Sequence, residues 1–120
     1  MSVLLELSLF PLDHGGSGLS RFIAPVVAMI AARGHPYQLT AMGTLVETTT
    51  MAEALALIES AHEMLVAQGC QRIYATIKLD SQVGVAHRLT AKVESVRARL
   101  DTQIASDCQT NLPPAGNQAP

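Results

Sequence analysis

Apolar and polar residues alternate along this chain with two different periods, and the switches between them mark out its elements. The opening run SVLLELSLF places Val3, Leu5, Leu7 and Leu9 on one side and Leu4, Glu6, Ser8 and Phe10 on the other. That two-residue period predicts a strand with one buried face. Pro11 ends it. After the loop LDHGGSG the period lengthens, and Leu19, Phe22, Ile23, Val26 and Ile30 share one helical face, with Gly34 at the C-terminal cap. Pro25 removes a backbone donor from this run, which a helix starting near Ser20 tolerates with a modest kink.

The run YQLTAMGTLVETT predicts two short strands joined across Met42 and Gly43, the glycine giving the backbone freedom a tight hairpin needs. Leu39, Ala41, Thr44 and Val46 then share one face, and Gln38, Thr40, Leu45 and Glu47 the other. Thr50 and Glu53 form a capping box for a second helix, striped by Leu55, Ile58, Ala61 and Leu65 and closed by Gly69. RIYATIKLD alternates again, with Ile73, Ala75, Ile77 and Leu79 inward and Tyr74, Thr76, Lys78 and Asp80 outward. Leu89, Val93, Val96 and Leu100 repeat at the spacing of a last helix. The order β-α-β-β-α-β predicts an α+β, ferredoxin-like sandwich: a four-stranded antiparallel sheet with helices on one face, plus the extra C-terminal helix. Residues 1–105 form this single domain, and 106–120, rich in Pro, Gly, Asn and Gln, are expected to be a disordered tail.

Composition narrows the function. Of 120 residues 48% are hydrophobic and 15% charged, enough apolar surface for a core without disulfides or metals. Two Phe, two Tyr, no Trp and a formal charge of −2 leave neither stacking platforms nor a basic surface. No nucleic-acid partner and no anionic membrane surface is therefore expected. No apolar run approaches the roughly 18 residues of a membrane span, and no basic-then-apolar leader opens the chain. Cys70 and Cys108 lack metal spacing and read as reduced thiols, which predicts a cytoplasmic protein.

No nucleophile elbow, HExxH or paired Glu-x-x-His is present, and His14, His35, His62 and His87 are scattered. No catalytic residue and no metal site is predicted. The HGGSG loop before the first helix is a weak phosphate-binding signal, with Ser17 as its candidate donor and a plain turn as the simpler reading.

The sheet face away from the helices mixes aliphatic and aromatic groups with hydroxyls and carboxylates. It reads either as a half-solvated surface used for subunit packing or as a ligand lining that a second subunit closes. Glu6 and Glu47 are expensive charges for such a face. Either they are solvated or pair with Lys78, or one of them holds an aminopyrimidine edge or balances a cationic ring.

The hairpin YQLTAMGTLVE, the opening LLELSLFPL, the TIKLD strand and the later KVESV helix together resemble the small thiamine-binding protein family, over roughly residues 2–100. Those proteins are single ferredoxin-like domains related to tandem thiamine- and hydroxymethylpyrimidine-binding proteins. The resemblance implies non-catalytic binding of thiamine or its hydroxymethylpyrimidine part, with no separate cofactor, and assembly as homodimers or homotetramers through sheet contacts. It maps Ser8, Thr40, Met42, Gly43, Thr44, Glu47, Thr76 and Lys78 as ligand-binding residues, and Glu6 joins them from the strand reading. The alternative is a structural or regulatory oligomeric module with no small-molecule ligand. An enzyme acting on a small heterocycle ranks third, since no convergent acid/base pair can be assembled from these residues.

Overall fold

The computed structural model describes residues 1–15 and 18–110. Among them, strands β1 (Ser2–Pro11), β2 (Tyr37–Thr40), β3 (Gly43–Thr48) and β4 (Ile73–Gln82) form one antiparallel sheet in the order β2-β3-β1-β4. Helices α1 (Ser20–Ala32) and α2 (Met51–Ala67) connect β1 to β2 and β3 to β4, and α3 (Arg88–Thr110) follows. This is the expected ferredoxin-like α+β topology. The sheet, α1, α2 and the first two residues of α3 make up one compact unit, Met1–Leu89.

β1 is central, and its alternation is clean: Val3, Leu5, Leu7 and Leu9 are buried, while Leu4, Glu6, Ser8 and Phe10 are only half-buried. Phe22, Val26 and Ile30 of α1, Leu57, Ala61 and Leu65 of α2, and Val46 of β3 close over that row. Each fully buried aliphatic side chain here contributes about 1.5–3 kcal/mol relative to leaving it in water.

The helix ends follow local chemistry. The Thr50 hydroxyl accepts the Glu53 N–H at 3.1 Å and donates to the Glu53 carboxylate at 3.0 Å, so Thr50 caps the helix as expected, with its hydroxyl rather than its N–H meeting the Glu53 side chain. At the other end of α2, Gly69 takes a φ of +91°, and Cys70 N–H reaches back to the Leu65 carbonyl at 3.1 Å. This left-handed turn satisfies carbonyls that would otherwise be orphaned. α1 begins at Ser20, which keeps Pro25 near its start, but Leu19 occupies the N-cap without a side-chain cap. Gly16 and Ser17 of the HGGSG loop, including the candidate phosphate donor, lie outside the described residues.

Four expectations need correction. The buried stripe of α2 is Ala54, Leu57, Ala61 and Leu65, while Leu55 is exposed. This helix is apolar around most of its circumference, so its spacing admits more than one inward face. The hairpin turns at Ala41–Met42, one residue early, with Gly43 already paired to Thr40. Thr40 closes it, its hydroxyl accepting Met42 N–H at 3.2 Å and donating to the Gly43 carbonyl at 2.9 Å.

β4 is the third. Its Ala75, Ile77 and Leu79 sit opposite Leu9, Leu7 and Leu5 on the helix side, as expected, yet Ile77 and Leu79 remain 41% and 40% exposed. α1 packs on β1 and β2, and α2 mainly on β1 and β3, so the coverage thins at this edge. Finally, α3 continues to Thr110, past the tail boundary expected at residue 106. The stretch 106–110 holds no Gly or Pro, and Gln103 donates to Asp107 at 3.0 Å along the helix. Residues 111–120 of the expected tail lie outside the described residues. Val93, Val96, Leu100 and Ile104 of α3 are exposed.

Candidate functional site

The site begins where a strand loses its neighbour. β1 runs to Pro11, but its register with β3 ends at Leu7↔Thr44. Beyond that pair the chain of β3 has already turned away through Met42 and Ala41. β1 residues 8–11 therefore have β4 on one side and a gap on the other.

Backbone parity says which groups face the gap. Leu12 N–H bonds the Arg72 carbonyl at 2.8 Å, continuing the β1–β4 ladder through the even-numbered residues of β1. The odd-numbered ones turn to β3; a Cβ added to Gly43 would lie 3.0 Å from the Leu7 carbonyl oxygen. Leu9 accordingly turns its N–H and C=O toward the gap, where no strand among the described residues pairs with them.

Over this gap lies a cavity of about 210 Å³, lined by Leu7, Ser8, Leu9 and Phe10 of β1, by Leu39 through Thr44 of the hairpin, and by Leu19, Ile23, Val26 and Ile30 of the α1 segment. No charged residue is among them. That space equals about seven waters, room for one substituted ring and below the roughly 300–1,000 Å³ of a drug-sized pocket. Thr44 is 5% exposed; its main chain pairs with Leu7, while its hydroxyl, not fully sealed from solvent, has no partner among the described residues. Its side chain shares the helix-facing side of the sheet with Leu7 and Leu39, the side on which α1 covers the cavity.

The structure thus brings Ser8, Thr40, Met42, Gly43 and Thr44 around one cavity. The other four expected residues stand apart from it. Glu6 Oε1 lies 3.7 Å from Lys78 Nζ on the opposite sheet face, where Thr76 is paired across from Ser8. Glu47 sits next to the start of α3. Its carboxylate accepts the Ser2 hydroxyl at 2.5 Å and the N–H groups of Arg88 and Leu89, each at 3.0 Å. Arg88 completes the knot, donating to the carbonyls of Ser2 at 2.8 Å and Asp80 at 2.6 Å and pairing with the Asp80 carboxylate at 3.1 Å.

Burial alone would raise the Glu47 carboxyl. The donors from Ser2, Arg88 and Leu89, with the neighbouring His87, outweigh it and hold the carboxyl below the ordinary carboxylate range. A side chain with three donors already on it serves as an anchor for the helix N-terminus.

Sequence reasoning placed the pocket on the open sheet face; the cavity lies at the hairpin, on the α1 side. It also missed the Leu9 main chain. The only available signal was length: a ten-residue strand beside a six-residue one leaves part of an edge unpaired. Among the described residues no group of three or more His, Cys, Asp or Glu is placed to hold a metal ion. Nor is any helix of these residues long and apolar enough to cross a membrane.

A family model described as thiamine-binding protein matches residues 5–97. A UPF0045 protein of Methanothermobacter thermautotrophicus is 31% identical over 98 residues, covering 82% of this chain and 99% of the relative. A UPF0045 protein of Mycobacterium bovis is 35% identical over 100 residues, covering 83% and 96%. Among solved structures, a hypothetical protein of Methanocaldococcus jannascii superposes with a TM-score of 0.69 at 21% identity, covering 79% of this chain and 95% of that one. A Thermotoga maritima protein assigned provisionally to thiamine biosynthesis or salvage gives 0.69 at 19% identity, covering 80% and 99%. At these identities the two superpositions speak to the fold.

Proposed function

With the chain belonging to the thiamine-binding protein family, we propose that it is a non-catalytic carrier or sensor holding thiamine, or its hydroxymethylpyrimidine part, in the cavity between the hairpin and α1. The carrying observation is a half-open, uncharged, largely apolar cleft beside the unpaired main-chain groups of Leu9 and the hydroxyl of Thr44. Apolar walls supply burial and a few fixed polar groups supply orientation, the usual division of labour in a small-molecule site. The volume suits the pyrimidine ring, so in thiamine the second ring projects toward the mouth. The ligand is the only small molecule this reading requires, and the setting is cytoplasmic.

Calorimetric titration of the full chain with hydroxymethylpyrimidine and with thiamine tests this directly. Saturable heat, together with a melting temperature that rises with ligand concentration, is expected. If neither compound shifts the transition at concentrations near solubility, the carrier reading fails and a purely structural module takes its place.

Assembly belongs to the same reading. β4 is a ten-residue edge strand whose odd-numbered backbone groups face outward and whose helix side is half-covered. Such an edge invites a second copy. Antiparallel pairing about Leu79 sets Lys78 opposite the partner's Asp80 twice over, matching charge across the two-fold. We expect the native chain to sediment as a dimer or larger even-numbered assembly. Lys78→Asp should weaken it at least about tenfold, an effect relieved by high salt. A native chain that sediments as a monomer removes this arrangement.

A further inference from the structure

We propose that a second cleft, where the loop after β1 meets the first turn of α1 and the C-terminal end of α2, binds a phosphate group through Arg21, His14 and Gln68. It is lined by these three residues and Phe22, and it shares no lining residue with the hairpin cavity.

Phe22 holds the site together. Its ring is 4% exposed and belongs to the core cluster, so its position is fixed by packing. The guanidinium carbon of Arg21 lies 4.7 Å from the centre of that ring, and the centre of the His14 imidazole lies 5.0 Å from it. One buried ring thus seats two nitrogen-bearing side chains at the surface. Among the described residues, neither of these side chains makes a hydrogen bond or an ion pair. Arg33 and Arg88 differ, being committed to Ser60 and to Ser2 and Asp80. Arg21 is a cation anchored by an aromatic ring, and its N–H groups stay free for an acceptor from outside.

Gln68 adds a third donor. Its amide nitrogen gives one hydrogen to the Met64 carbonyl at 3.3 Å and keeps the second.

The surroundings favour an anion. No carboxylate lines the cleft. Asp13 precedes His14 in the chain, but its carboxylate accepts the Gln71 N–H at 2.8 Å and is not part of the lining. The last carbonyls of α2, which would repel an anion, accept the N–H groups of Gln68, Gly69 and Cys70. α1 opens with neither a side-chain cap nor an acidic residue in its first turn, so its positive end is uncompensated. Donors from three segments suit a tetrahedral oxyanion, which turns an oxygen to each; a planar carboxylate has only two. The cleft, about 360 Å³ and open to solvent, leaves room for whatever carries the phosphate.

Calorimetric titration of the full chain with inorganic phosphate and with glycerol phosphate, at constant ionic strength, tests the site. Saturable heat is expected, with the His14 ring resonances shifting along the same curve. An ester bound as tightly as phosphate, or more tightly, marks a phosphorylated molecule as the ligand; a weaker ester marks the free anion. Arg21→Ala should weaken binding at least about tenfold, and Arg21→Lys should recover only part of it, since a point charge lacks the guanidinium fork. Absence of saturable heat with both anions, parental affinity in Arg21→Ala, or His14 signals unmoved at saturation would each overturn the proposal. None of these results touches the reading of the hairpin cavity.

Discussion

Glu47→Gln is expected to destabilise the protein by about 1–3 kcal/mol. The isosteric amide keeps one acceptor but points an N–H2 at donors now satisfied by a carboxylate: Ser2 Oγ and the N–H groups of Arg88 and Leu89. One buried oxygen cannot serve all three, and the charge that complements the α3 N-terminus is lost as well. The melting temperature should fall by roughly 4–8 °C for each kcal/mol. The family resemblance instead sets Glu47 against a ligand, a role in which its replacement would cost affinity rather than stability. A melting temperature within error of the parent would return Glu47 to the list of ligand contacts.

The same residue gives a pH signature whose sign is fixed. Its carboxyl is lowered in the folded protein, so the stability it supplies is fully present above the unfolded carboxylate value. That contribution drains away as pH falls through the lower folded value. The parent should lose stability on acidification across this window, and Glu47→Gln should lose less, so the two denaturation curves converge at low pH. Parallel curves would contradict the assigned cause.

Gly43→Ala is the second large effect expected. The new Cβ would stand 3.0 Å from the Leu7 carbonyl oxygen and 3.5 Å from Ser8 Cβ, so hairpin and β1 must move apart by a few tenths of an ångström. The first of these neighbours is backbone at the middle of the sheet, which yields poorly, and a cost of about 1–3 kcal/mol follows. The hairpin also walls the cavity. Hydroxymethylpyrimidine affinity should therefore fall by more than about tenfold, out of proportion to the change in melting temperature. Full affinity at reduced stability would detach the hairpin from the site.

What the residues revealed on their own follows from the range of the physics involved. Strand alternation in β1 and the Thr50–Glu53 cap are local, and both are legible within a few residues. The inward face of α2 is not: Leu55 and Leu57 are equally apolar, and the choice is made by packing against β1, β3 and α1, all distant in sequence. The hydrogen bonds of Glu47 were hidden from the sequence for a related reason. The alternation correctly put it on the face away from the core stripe, but nothing near it in sequence says that Arg88 and Leu89 arrive there with open N–H groups. Four of the cavity residues were named through the hairpin motif and Ser8 through the opening strand, whereas the gap they surround depends on where β3 stops relative to β1.

β1 has a neighbour on either flank, and its second flank is supplied by β4, the last strand in the described sheet. Ser2 meets Gln82, and the pairing runs without a break to Pro11 and Ile73. The middle of the sheet therefore waits for synthesis to pass residue 82, and closing it means joining chain segments far apart in sequence, an intrinsically slow step. A nascent chain released before that point would present a long apolar ribbon with one bare edge, and so a target for holdase chaperones.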